Sequence, residues 1–263
     1  MIAWKTSSRW APLSRRALLL TLGLSAIGVG IGLSALPASA ETKGPTEVPV
    51  EELMKPGPMG EITLGPPDAK VTVVEYASMT CSHCAHFTVD VWPEFKKKYI
   101  DSGKVHYVFR EFPLDNLAAA AAMLARCTGG DKTMPLIEVL FEKQKDWAFG
   151  EGNPVPKLFE FAKQAGFTQE SFDKCLTDQK LLDNITSGRT RAADVFGVNA
   201  TPTFFINGKK LDGAPTIEAF DKMIGPILGP DAPHADQGPN PTPAAPGQAT
   251  GSAGPDNGQG SSK

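Results

Sequence analysis

Val71-Thr72-Val73-Val74-Glu75-Tyr76-Ala77-Ser78-Met79-Thr80-Cys81-Ser82-His83-Cys84 is the stretch on which the fold turns. Residues 71–77 are β-branched and almost continuously apolar, which suits a central strand covered on both faces. Ser78-Met79-Thr80 turns the chain into CSHC. Apolar residues at Phe87, Val91, Phe95 and Tyr99 then recur at helical spacing, with Pro93 expected to kink the helix and Gly103 to end it. A C-x-x-C between strand and helix has chemical meaning. The thiolate is the nucleophile in disulfide exchange. A helix N-terminus offers unpaired N–H donors and a partial positive charge, both of which lower a thiol pKa. His83 adds a further donor or a positive charge. Cys81 is therefore expected to be the exposed, acidic thiol that exchanges with substrate, and Cys84, one turn deeper, its resolving partner. A structural disulfide is the alternative. So is a metal half-site of Cys81, His83, Cys84 and His86, although no second C-x-x-C or H-x₃-H completes one.

Downstream, residues 105–112 (VHYVFREF) alternate like a second strand, with His106 a strand residue of no assigned role. Residues 114–178 differ in character. Helical patterns at 117–125, 133–147, 155–165 and 168–176 are separated by Gly or Pro, and Thr168 and Ser171 offer helix-start chemistry. Another helix is expected over 180–196. TFFI at 203–206 and residues 209–211 flank Asn207-Gly208, a strong hairpin signal, and a last helix is expected over 216–224. Upstream, 61–64 reads as a short edge strand. Residues 41–60, polar and with four prolines, read as a flexible, extended lead-in.

The ends carry other information. Residues 1–40 hold Lys5, Arg9, Arg15 and Arg16 and no acid, then an apolar run from Ala17 to Leu36 and Ala38-Ser39-Ala40. That is the layout of a cleavable export signal. Ser14-Arg15-Arg16 followed by leucines resembles a twin-arginine signal, and the Sec route is the alternative. Of the 35 residues from 229 to 263, fourteen are Pro or Gly and none is a large apolar residue. Such a tail cannot bury enough surface to offset its ordering entropy. The whole chain of 263 residues is 41% hydrophobic, 21% charged and 8% aromatic, ordinary values for a globular protein. Its net charge of −3 becomes −7 once the four basic residues of the signal are removed. An acidic chain without a basic, aromatic-interleaved patch is a poor binder of nucleic acid. Export implies an oxidising compartment, where an even count of four cysteines suggests pairing.

Strand, CSHC, Pro-interrupted helix, helical insertion and Thr201-Pro202 before TFFI together resemble the DsbA-like branch of the thioredoxin superfamily, over residues 61–228. The resemblance implies an α/β, thioredoxin-like fold with an inserted all-helical domain. Its first part would span 61–113, the insertion 114–178 and its second part 179–228. It also implies a periplasmic enzyme that donates disulfides to reduced or unfolded exported proteins through Cys81 and Cys84, with a DsbB-like membrane partner as its reoxidase. Pro202 matches the family's cis-proline, which with Thr201 borders the active site and leaves backbone groups free for a substrate strand. Glu75, six residues before Cys81, matches the buried acid that relays protons to the deeper thiol. On the residues alone it could be an exposed strand charge. Cys127 and Cys175 match a second disulfide found in some members; two buried free thiols are the alternative. Ser82 departs from the usual Pro, and Thr201 from the usual Val, in the direction of disulfide isomerases and reductases.

The leading expectation is a monomeric periplasmic thiol:disulfide oxidase needing neither cofactor nor metal. An isomerase or reductase is the second reading, against which stands the shortness of the segment before Val71, since such isomerases dimerise through a sizeable N-terminal domain. A copper-binding chaperone is the third, weakened by seven methionines with no cluster among them.

Overall fold

The computed structural model describes residues 44–229. The export signal expected at 1–40 and the expected tail beyond Gly229 lie outside the described residues. β2 (Val71–Ala77) lies at the centre of a five-stranded sheet of order β1-β3-β2-β4-β5. It pairs in parallel with β3 (Val105–Glu111) and antiparallel with β4 (Thr203–Ile206). β1 (Ile62–Leu64) flanks β3 and β5 (Lys209–Lys210) flanks β4, both antiparallel. The β4–β5 connection is the Asn207-Gly208 turn, with φ of 45° and 82°. Positive φ at both central residues is what a type I′ hairpin turn demands, and Asn and Gly bear it best. The topology is thioredoxin-like, with a helical insertion between β3 and the last two strands.

Both faces of the sheet are covered, which explains the unbroken apolar character of β2. On one face, Val73, Ala77, Tyr107, Phe109, Phe204 and Ile206 pack into the main core. Phe87 sits 4.7 Å, ring to ring, from Phe204, and Phe95 the same distance from Phe220. Phe204 belongs to β4, Phe87 and Phe95 to the helix after CSHC, and Phe220 to α10 (Ile217–Leu228). The helix after CSHC is not regular. α2 (Ser82–His86) runs into a π-turn at Phe87–Val91, then α3 (Trp92–Phe95), then a second π-turn at Lys96–Ile100. Pro93 has no N–H to give, so the helical register shifts in the turn just before it. On the opposite face Val74, Tyr76, Val108, Phe112 and Phe205 pack with Ala192 and Phe196 of α9 (Gln179–Phe196).

Between β3 and α9 lie α4 (Asn116–Thr128), α5 (Thr133–Glu142), α6 (Gln144–Trp147), α7 (Val155–Gln164) and α8 (Gln169–Leu176). Asp115 caps α4 by accepting from Ala118 N, and Thr168 and Ser171 form a reciprocal capping box on α8. The helix expected over 133–147 is broken at Lys143, whose φ of −97° and ψ of 15° let α6 turn away.

The lead-in differs from its expectation. Residues 44–60 are not a free extended arm. Glu47 bridges Lys209, Val48 N–H donates to Gly208 O at 2.8 Å, and α1 (Val50–Leu53) sets Leu53 in the second core. Three arginines hold the segment from the domain side. Arg110 and Arg191 donate to Leu53 O and Glu52 O, and Arg126 to Gly60 O. Isolated apolar residues among prolines give no periodicity, so the sequence pattern does not show that Val48 and Leu53 are buried.

Candidate active site

Cys81 is the N-cap of α2, in extended backbone with φ of −80° and ψ of 119°, so the first main-chain N–H groups of that helix converge on its side of the turn. An exposed Cys81 is expected from the sequence, but the residue keeps only 8% of its surface. The Thr201-Pro202 peptide, which is cis, lies against it, and the Cys81 thiol donates to Thr201 O at 3.2 Å. The pKa of Cys81 is lowered to about 5. The Cys84 thiol, donating to the Cys81 sulfur, is the main cause. Partial burial opposes it, and Thr201 and the backbone N–H groups of Cys84 and His83 add to it. The hydroxyl of Thr201 is buried and has no partner of its own, so its proton is free to turn to a Cys81 thiolate once the thiol proton has gone. His83 is exposed. Its contribution reaches Cys81 through its backbone N–H.

Cys84 is fully buried in the main core. Burial drives its pKa far upward, and its hydrogen bond to Cys81 and the charges of Glu75 and Cys81 push the same way. One sulfur of the pair is held ready to ionise and the other is held protonated.

Glu75 is 2% exposed, which settles the choice between a buried acid and a surface charge. It points into the same core as Cys84. Burial raises its pKa to about 8, against the opposing hydrogen bond from the Tyr107 hydroxyl to Oε2. Its other oxygen, Oε1, has no partner. Tyr107 is a member of the site to which sequence reasoning assigned no role; β-alternation places it on the inner face beside Val73, one diagonal step from Glu75.

Gln144 was missed as well. Its amide nitrogen donates to Met79 O at 2.9 Å and to Cys81 O at 3.0 Å, pinning the loop that carries the cysteine to the helical insertion. Thr80 is tied to the insertion too, donating to Asp115 at 2.7 Å. No sequence signal separates Gln144 from other helical glutamines.

Other singled-out residues lie away from the pair. Cys127 and Cys175 are joined to each other at an S–S distance of 2.14 Å, linking the end of α4 to α8. His86 is exposed and pairs with Asp90 at 2.5 Å. Trp92 and Phe87 are core residues. His106 lies in β3, 9% exposed, with Nδ1 unpartnered. Among the described residues no three His, Cys, Asp or Glu side chains converge as a metal centre.

Comparison with known proteins gives the same picture. The family described as Thioredoxin (Thioredoxin_4) matches residues 59–225. A Rickettsia bellii protein named as a protein-disulfide oxidoreductase is 37% identical over 151 residues, 56% of this chain and 57% of that one. One from Rickettsia felis, similarly named, is 34% identical over 174 residues, 65% of this chain and 62% of that one. The chain thus spans about three fifths of the length of these curated relatives. Among solved structures, Wolbachia pipientis alpha-DsbA1 is 33% identical and superposes with a TM-score of 0.63, covering 68% of this chain and 95% of its own. A matched family over most of the folded residues, a shared sheet and insertion, and a cysteine pair beside a cis-proline converge, and the chain belongs to the thioredoxin family as a DsbA-like member.

Proposed function

We propose that the chain is a periplasmic thiol:disulfide oxidoreductase that introduces disulfides into exported proteins through Cys81 and Cys84. The observation that carries this reading is the opposed pair: Cys81 with a pKa near 5 beside Cys84, which burial keeps protonated. Stabilising the Cys81 thiolate stabilises the reduced state, and so makes the disulfide a stronger oxidant. A substrate thiolate attacks Cys81 Sγ, the Cys81–Cys84 bond breaks, and Cys84 leaves with the electron pair. Glu75 supplies the proton that neutralises it. A second substrate thiolate attacks the substrate sulfur of the mixed disulfide, and Cys81 departs as the stabilised thiolate. The substrate has lost two electrons and the enzyme has gained them. A DsbB-like membrane partner would remove them and close the cycle. The basic, apolar and A-x-A regions of residues 1–40 support export. Substrates would be unfolded chains laid against the Thr201-Pro202 turn, and the protein would act as a monomer.

A disulfide isomerase or reductase of the same fold is the second reading, favoured by the Thr201 hydroxyl facing Cys81. A trap tests the site. Cys84→Ser removes the resolving thiol, so mixed disulfides with secreted proteins accumulate at Cys81 and are released by reductant. Adducts found instead at Cys127, or none at all in cells exporting thiol-containing proteins, would contradict the assignment.

A further inference from the structure

A buried carboxyl that exchanges protons with a buried thiol has two oxygens, and their surroundings differ. Glu75 Oε2 accepts the Tyr107 hydroxyl, and Oε1 accepts nothing. Glu75 is 2% exposed, Tyr107 1% and Cys84 0%, so water reaches none of them freely. Tyr107 is fixed in turn, its ring packed against Trp92 at 4.6 Å, and Trp92 is anchored by donating from Nε1 to Glu138 at 2.7 Å. We propose that Tyr107 is a positioning residue: it holds Oε2 so that Oε1 is the atom that exchanges a proton with Cys84. The inference rests on the exchange chemistry proposed above.

The groups facing this pair are few. Cys81, at the N-cap of α2, acts on Glu75; Cys84, within α2, faces both Glu75 and Tyr107; and Glu138 acts on Tyr107 from α5. All add negative charge when ionised, so among the described residues no cation is at hand to hold a Glu75 carboxylate. Among the described residues the Tyr107 hydroxyl is the one group that favours its ionised form. Without it Glu75 would be a base available only at still higher pH.

The step that reads this is closure of Cys84 on a Cys81–glutathione mixed disulfide. The Cys84 proton passes to Glu75 Oε1 and the freed lone pair attacks Cys81 Sγ. The bond to glutathione breaks, and glutathione leaves as a thiolate carrying the electron pair. Closure rate would be followed against pH in the full chain for the parent, Tyr107→Phe, Glu75→Gln and the double variant. The parent rate rises with pH through an inflection near the Glu75 pKa of about 8. In Tyr107→Phe the inflection moves alkaline, and closure at neutral pH slows roughly three- to tenfold, because fewer carboxyls are ionised. Glu75→Gln lacks the inflection, and adding Tyr107→Phe to it slows closure no further. Superimposable profiles for the parent and Tyr107→Phe would overturn the proposal. So would a Tyr107→Phe penalty that persists in the Glu75→Gln background, which is what a merely structural tyrosine would give. Isotope-edited infrared titration of the Glu75 carboxyl keeps the two claims apart. A parent that never closes sinks the exchange reading, while an unshifted Glu75 titration in Tyr107→Phe sinks the role of Tyr107.

Discussion

Cys81 and Cys84 are one helical turn apart, and their thiols are pushed in opposite directions. The difference is one of place: Cys81 caps a helix at a turn, and Cys84 is in the core. CSHC and its position at a helix start were legible in the sequence, as was the matching of Glu75 and Pro202 to family positions. The manner of thiolate stabilisation was not. His83 was expected to act through its imidazole, whereas the groups turned to Cys81 are the Cys84 thiol, Thr201 and two backbone N–H groups, one of them from His83. A backbone donor survives any side-chain change, and a hydroxyl does not. Thr201→Val should therefore raise the Cys81 pKa above 5 by more than His83→Ala does. Thiolate absorbance against pH checks this. A larger shift in His83→Ala would return the weight to the imidazole. Because the folded pKa of Cys81 is depressed, the reduced protein gains stability from it above its ordinary thiol value of 9, and loses that gain as pH falls towards 5.

At the scale of elements, the insertion holds the active-site loop in place. α6 delivers Gln144, whose amide satisfies the carbonyls of Met79 and Cys81. Gln144→Leu would leave both without that donor in a buried place, at a cost of about 1–3 kcal/mol. Urea unfolding of the parent and the variant reads that loss; equal midpoints would show the clamp to be dispensable. Which segments form helices was legible from periodicity, and the start of α8 from Thr168 and Ser171. The break at Lys143 was not, because no Gly or Pro marks it and only tertiary packing turns α6 towards Met79. Pro93 did announce a disturbance, but as a kink; the structure resolves it into π-turns on either side of α3.

Over the whole molecule, the sheet divides two cores. The proposed catalytic groups belong to the one formed with α2, α10 and the insertion, and the other is closed by α9 and residues 44–60. That second closure was the largest difference from the sequence expectation. Gly208 shows how close the contact is, since a Cβ there would fall 2.1 Å from Val48 O. A protein beginning at residue 61 would expose the surfaces that bury Val48 and Leu53, now 4% and 1% exposed. It should lose about 1.5–3 kcal/mol for each, seen as a lower urea midpoint than that of a chain beginning at residue 44. An unchanged midpoint would mean that the segment is only draped on the surface.

The central claim is that the pair is built to accept electrons, and its reduction potential tests this most directly. Residues 41–228 would be equilibrated in glutathione redox buffers, with the state of Cys81 and Cys84 read by thiol trapping and peptide mass. The low Cys81 pKa predicts an oxidising potential, on the side of DsbA at about −120 mV. A value near that of thioredoxin, about −270 mV, would contradict the account and assign the protein to reduction or isomerisation instead.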